Sequence, residues 1–211
     1  MAQAPRERLN HLLDLAAQGP AGHAALLNEL ADLLMDWPSD YARAMRAPFE
    51  ALLEKTAREV DAPARAALAA RFEGHEELPV SLLNEFFLDA PQELRARILA
   101  LNDVMEVDDA EPVAVDTSQL VEAARRLNGT FGPAFARLLS LPESTAAEIL
   151  GDASGQSLAV VCKGCGLDRA TFSAIALLAA RDGNAAARLA AFDQVPQTAA
   201  ERLTGFWRTR S

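Results

Sequence analysis

Apolar side chains recur at helical spacing along almost the whole chain, and this periodicity limits the folds that the sequence can adopt. One stripe consists of Leu26, Leu27, Leu30, Leu33 and Leu34. Residues at this spacing share one face of a helix. Alternation with period two, which is typical of strands, occurs only in a short run at 113–115. Ala and Leu, which lose little free energy on entering a helix, dominate the composition, so the sequence predicts an all-α protein.

The pattern Asp-x-Pro occurs three times where a helical pattern is about to begin. The copies are Asp36-Trp37-Pro38, Asp61-Ala62-Pro63 and Asp89-Ala90-Pro91. Asp accepts hydrogen bonds from the free amides of a first helical turn, and Pro at that turn sacrifices none. The copies are 25 and 28 residues apart, which is the length of a helical hairpin. They predict a HEAT-like stack of helical hairpins, although a common helix-start motif explains each copy equally well.

The negative charge of the chain is confined to its first half. The net charge is −10, and residues 1–110 contain 20 acidic and 10 basic residues, whereas residues 111–211 contain 10 of each. This field repels phosphate, so nucleic acid and anionic membranes are not expected partners, whereas a protein with a basic surface is compatible. Six acids and no base occur at 102–116. We therefore predict an N-terminal helical-repeat region at 1–107, an acidic linker at 108–115 and a C-terminal helical bundle at 116–211.

The sequence carries no targeting signal that we can identify. The first eight residues are charged and no apolar core follows them, which is unlike a secretory signal. No run approaches the roughly 18 apolar residues of a membrane span. The two cysteines are only three residues apart, so they do not form a disulfide framework. We therefore expect a cytoplasmic protein without a membrane segment.

Both cysteines lie in the motif Cys162-Lys163-Gly164-Cys165. One interpretation is a redox pair or half of a zinc site, which would make the protein a redox- or metal-responsive regulator. However, a zinc site needs four ligands, and the three histidines all lie in the first half of the chain. The other interpretation is core packing, because Leu158, Cys162 and Cys165 fall on one helical stripe. Gly164 and Gly166 would then end this helix, and Asp168 would begin the next one.

Other catalytic signatures are missing from the sequence. Gly129-x-x-Gly132 lacks the lysine of a phosphate-binding loop, and no Gly-x-Ser-x-Gly elbow occurs. His75 lies close to Gly74 and Pro79, which favours a helix end over the exposed mid-helix position of a phosphoacceptor. We therefore predict neither an enzyme nor a cofactor.

Two segments resemble the family of mainly alphaproteobacterial, uncharacterised helical-repeat proteins grouped as domain of unknown function 2336 (DUF2336). At 58–99, an Arg- and Ala-rich helix over 61–68 precedes a Leu- and Phe-rich segment over 82–91. At 139–178, a Leu-Pro turn and a Gly-Asp-x-x-Gly-Gln turn precede Gly166-Leu167-Asp168-Arg169-Ala170-Thr171-Phe172. The resemblance implies a HEAT-like stack and a bacterial source. It carries over no established activity and no site residue.

Stacked helix pairs form extended surfaces that suit protein binding. The sequence therefore predicts a non-enzymatic protein–protein interaction scaffold or regulator. The predicted interaction surface lies on the acidic N-terminal helices around Trp37, Glu76, Glu77 and Glu85. The alternative is the regulator that acts through Cys162 and Cys165.

Overall fold

A computed structural model of the chain describes residues 5–38, 46–75, 77–105, 115–126, 131–179 and 185–210. These residues form thirteen helices and no strand, which confirms the all-α prediction. The first six helices are α1 (Pro5–Ala17), α2 (Pro20–Met35), α3 (Arg46–Glu59), α4 (Ala62–Phe72), α5 (Val80–Phe86) and α6 (Gln92–Asp103). The remaining helices are α7 (Thr117–Arg125), α8 (Phe131–Leu139), α9 (Glu143–Gly151), α10 (Gln156–Gly164), α11 (Arg169–Ala179), α12 (Ala185–Gln194) and α13 (Gln197–Thr209).

The chain divides into two compact units, Met1–Ala96 and Arg97–Ser211. The division falls within α6, upstream of the acidic run from which the linker was predicted. Except for Val115, the predicted linker and the short strand candidate lie outside the described residues. The HEAT-like stack remains a prediction for the N-terminal unit.

The N-terminal unit is built on α2, which packs against α1, α3 and α4. The predicted Leu stripe of α2 is buried. Helix α5 is covered on most of its circumference, and the six residues Leu82–Phe87 are all buried, including the polar Asn84 and Glu85. Phe86 meets Phe72 of α4 edge to face, with ring centroids 5.1 Å apart. These contacts make α5 an interior helix of this unit.

The Asp residues of the three Asp-x-Pro copies have different structural roles. Asp61 is the predicted cap, because its carboxylate accepts a hydrogen bond from the Ala64 amide at 3.0 Å. Asp89 instead accepts from Arg65 Nε at 2.7 Å, so its charge is used in a tertiary contact. Asp36 ends α2, and residues 39–45, which follow this copy, are not described. The cap prediction is therefore confirmed for Asp61 and wrong for Asp89.

Two helices of the C-terminal unit begin at a proline and not at a threonine. The patterns Thr145-x-x-Glu148 and Thr198-x-x-Glu201 have the spacing of a capping box, but α9 and α13 begin directly after Pro142 and Pro196. Both prolines are extended, with ψ of 143° and 145°. Thr145 is buried within α9 instead. Proline is suited to the position just before a helix, because its restricted φ fits a helix start and its missing amide costs no helical hydrogen bond.

The C-terminal unit is organised around α10, in which the six residues Ser157–Cys162 are all buried. Helix α10 packs most extensively against α13 and also contacts α9, α11 and α12. The predicted helix–turn–helix is confirmed. Gly166 adopts φ of 70° just after α10, and Asp168 accepts from the Thr171 amide at 2.7 Å at the start of α11.

Helices α10 and α13 approach closely at Gly164. A Cβ atom at this position would collide with the Ala200 carbonyl oxygen and the Thr204 hydroxyl of α13. We expect Gly164→Ala to lower the free energy of unfolding by about 1–3 kcal/mol, because overpacking displaces neighbouring backbone. Urea unfolding of the purified protein measures this change.

The matched control is Gly205→Ala on α13, where a Cβ atom meets no other group within 4 Å. This control should gain about 0.5–1 kcal/mol, since Ala is the better helix former. Equal stability of the two variants would contradict the close approach at Gly164.

Candidate functional site

The two cysteines lie at the C-terminal end of α10, as core packing predicts. Cys162 is fully buried and Cys165 is largely buried. Arg208 of α13 donates from Nη2 to Cys165 Sγ at 3.1 Å and from Nε to the Leu139 carbonyl oxygen at 3.0 Å. The Cys165 thiol is therefore part of a contact between α10 and α13.

The surroundings of the two thiols work against redox chemistry. Burial raises the pKa of Cys162 well above its ordinary value, and the neighbouring Cys165 adds to this shift. Burial also raises the pKa of Cys165, although the Arg208 guanidinium opposes it. Both thiols stay protonated at neutral pH, whereas a reactive cysteine needs its thiolate form.

The cation between the cysteines is engaged elsewhere. Lys163 Nζ donates to the carbonyl oxygens of Phe192 at 3.0 Å and Val195 at 2.6 Å, and it lies 4.9 Å from the centroid of the Phe192 ring. The positive charge thus caps the C-terminal end of α12, where it complements the helix dipole. Within the described part of the chain, no group of three or more His, Cys, Asp or Glu side chains is placed to hold a metal ion.

The four residues of the predicted interaction surface do not all lie at one surface. Trp37 is half-buried and lies edge-on to Phe49 of α3, with ring centroids 5.7 Å apart. Glu77 is exposed, and its carbonyl oxygen accepts from Arg46 Nη2 at 3.1 Å. Glu76 lies outside the described residues. Trp37 and Glu77 therefore both lie near the first two turns of α3.

Glu85 does not belong to a surface, and its assignment there is corrected. Its side chain is fully buried on α5, where its carboxylate accepts from Arg58 Nε at 2.7 Å and also from Arg58 Nη2. A buried carboxylate is tolerated when a guanidinium of this kind neutralises it. Glu85 is an interior residue that joins α5 to α3.

The Arg58–Glu85 pair belongs to a polar seam, by which we mean the contacts of Arg46, Glu54 and Arg58 on α3 with Glu77, Ser81 and Glu85. Arg46 contacts Glu77, Glu54 forms a hydrogen bond with Ser81, and Arg58 contacts Glu85. Because both series ascend together, α3 and α5 run in the same direction. The sequence interpretation missed this seam, although the spacing of Arg46, Glu50, Glu54 and Arg58 by four residues was visible.

The N-terminal unit has an excess of acidic residues, and several of its arginines are paired within the unit. The unit contains 16 acidic and 9 basic residues. Several of its arginines are held by acceptors of the same unit: Arg46 by Glu50, Arg58 by Glu85, Arg65 by Asp89, Arg71 by Asp32, and Arg95 by the Ala90 carbonyl oxygen. Exposed acids such as Asp36, Glu73 and Glu77 therefore dominate the field around it.

The C-terminal unit carries an open groove of about 1020 Å³ between α7 and α8. Ala123, Ala134 and Leu138 contribute its apolar part, and charged side chains from α7, α8 and the start of α9 border it. The sequence interpretation did not identify this groove, because it depends on how the two helices pack.

Comparison of the chain with protein-family models, with curated proteins and with solved structures finds no match. The resemblance to DUF2336 stays a prediction. No helix in the described ranges combines the length and the apolar character that crossing a membrane requires.

Burial of the two cysteines predicts slow thiol labelling. We expect a maleimide reagent at neutral pH to leave Cys162 unmodified in the native protein and to modify Cys165 more slowly than a free thiol, because both pKa values are raised. Mass spectrometry after timed quenching measures each site. Urea-unfolded protein should label at both sites, and fast native labelling of Cys162 would contradict the core role.

The surroundings of Glu54 in the polar seam predict that replacing its carboxylate stabilises the protein in a pH-dependent way. Burial raises the pKa of Glu54, with the Glu85 charge adding to the shift and the Ser81 hydrogen bond opposing it. Between the ordinary and the raised pKa the folded state binds more protons than the unfolded chain. The contribution of Glu54 to stability is thus present at low pH and lost as the pH rises through the raised value.

We therefore expect Glu54→Gln to raise the free energy of unfolding at neutral pH and to lose this advantage in acid. Urea unfolding across a pH series measures the effect. Glu73→Gln, at an exposed position, is the control and should change little at any pH. A gain for Glu54→Gln that does not depend on pH would contradict the assignment.

Proposed function

We propose that the protein is a non-enzymatic, cytoplasmic scaffold or regulator whose N-terminal unit binds a protein partner with a basic surface. The observation that carries this proposal is the position of Trp37, Phe49 and Glu77 near the first two turns of α3. Trp37 and Phe49 are both half-buried, so each keeps part of its surface in contact with solvent in the region of the exposed Glu77.

The aromatic pair supplies an anchor for a partner. Trp is enriched at the energetic centres of protein interfaces, since one side chain buries a large rigid surface. Leu52, one turn after Phe49 on α3, is also exposed. A partner side chain that covers this apolar area removes it from water without disturbing the core of the unit.

The charge of the unit supplies orientation and attraction. Four of its described arginines are paired with acids of the unit, while Glu73 and Glu77 are exposed and available to a basic partner. Such complementarity raises the association rate and discriminates against acidic partners. Nucleic acid, which carries the same sign of charge as the unit, is an unfavourable ligand for the same reason.

The polar seam supports a HEAT-like arrangement within this proposal. Helices α3 and α5 run in the same direction and each is followed by a second helix, as the first helices of two successive hairpins would be. Stacked hairpins of this kind present extended binding surfaces. The resemblance to DUF2336 implies the same arrangement. The alternative regulator that acts through Cys162 and Cys165 is less well supported, because both thiols are protonated and packed.

Peptide display tests the proposal with a defined probe. Random peptides are selected on the full-length protein, and the enriched peptides are measured by titration calorimetry at low and high salt. We expect these peptides to combine Lys or Arg with an aromatic or aliphatic residue and to bind more weakly at high salt. Trp37→Ala and Glu77→Lys should each raise Kd about tenfold or more.

The control variants are Leu177→Ala, which removes an exposed apolar side chain (53% exposed) from the C-terminal unit, and Glu73→Lys, which reverses another exposed acid of the N-terminal unit. Neither should change Kd appreciably. Equal loss in Glu73→Lys and Glu77→Lys would replace a defined site with a general charge effect. A catalytic turnover that one polar substitution abolishes would contradict the non-enzymatic assignment.

A further inference from the structure

The groove between α7 and α8 is lined by both apolar and charged side chains. Ala123 of α7 and Ala134 and Leu138 of α8 are only partly buried, and they contribute apolar surface to the groove. Small side chains permit another backbone to approach closely. Because the groove is open and its borders are charged, its character differs from that of an enclosed, apolar small-molecule pocket.

The charged residues that line the groove differ in whether they are paired. Glu122 and Arg126 lie 3.5 Å apart on α7 and partly neutralise each other. Arg137 of α8 and Glu143 at the start of α9 are both exposed, and neither forms a hydrogen bond or ion pair with a described residue. The groove therefore presents one guanidinium and one carboxylate that can each accept an external partner.

This pair of opposite charges is complementary to itself. A partner of uniform charge would satisfy Arg137 or Glu143 and repel the other. A second copy of the same surface, related by a two-fold axis, offers a carboxylate to each guanidinium and does so twice, because every contact in such an interface occurs in duplicate. We propose that the groove is a contact between two copies of the chain, in which Arg137 of each copy pairs with Glu143 of the other.

A two-fold contact fills a concave surface only if each copy also offers a ridge. Helix α8 has this shape, because its exposed Pro133 and Arg137 project beside the partly buried Ala134 and Leu138. The α8 ridge of one copy then lies in the groove of the other. This contact goes beyond the proposed function, since it uses the C-terminal unit and involves neither Trp37 nor Glu77.

Charge reversal of the two residues tests the pairing. Sedimentation velocity over a concentration series should show that the wild-type protein dimerises reversibly. Arg137→Glu places two carboxylates at each contact, and Glu143→Arg places two guanidinium groups there, so each variant alone should dissociate at concentrations about tenfold higher or more. An equimolar mixture of the two variants should dimerise again, because both contacts of the mixed dimer pair opposite charges.

The control is Arg125→Glu, which makes the same charge change on α7 outside the groove and should leave dimerisation intact. Urea unfolding of each variant verifies that lost association does not reflect lost folding. A wild-type protein that stays monomeric at every concentration overturns the proposal. Dimerisation that survives Arg137→Glu, or that the variant mixture does not restore, also overturns it.

Discussion

The fold of the C-terminal unit depends on one constraint, which is that α10 turns no face to water over Ser157–Cys162. A helix that is buried all round must be covered by several others, and α9, α11, α12 and α13 surround it. Gly164 lets α13 approach the end of α10, and Lys163 reaches from the same end to the last carbonyl groups of α12. Residues of the Cys-Lys-Gly-Cys motif, which suggest a redox or metal site in the sequence, therefore stabilise the packing around α10.

The N-terminal unit solves a different problem, because it must bury charge as well as apolar surface. Glu85 is buried on α5 and is neutralised by Arg58, while the buried Arg65 is neutralised by Asp89. Replacing such pairs with apolar residues is often neutral for stability, but removing one partner is costly. The pairs thus favour one register between the helices. They also engage Arg58 and the buried Arg65 with acids of the same unit.

The sequence predicted features that depend on neighbouring residues, such as helices and turns, but not the contacts between helices. The helix–turn–helix over 156–179 was predictable because its apolar spacing and its glycines are neighbours in sequence. The burial of Glu85 was not, since its partner lies 27 residues earlier on another helix. Asp61 and Asp89 share one motif, yet only the first caps a helix, because Arg65 captures the second. Trp37 was predicted as part of the candidate surface, whereas Phe49 emerged only from packing.

The two lysines of the chain differ sharply in their surroundings. Lys163 is half-buried and its amine is bound to two backbone carbonyl oxygens, whereas Lys55 is exposed on α3. Of the two lysine side chains, Lys55 is therefore the one that an amine-directed reagent modifies more readily. A fluorophore or cross-linker attached in this way would mark α3, the helix that carries Phe49, and would leave the packing around α10 untouched. The cap on α12 thus leaves Lys55 as the accessible side-chain amine of the chain.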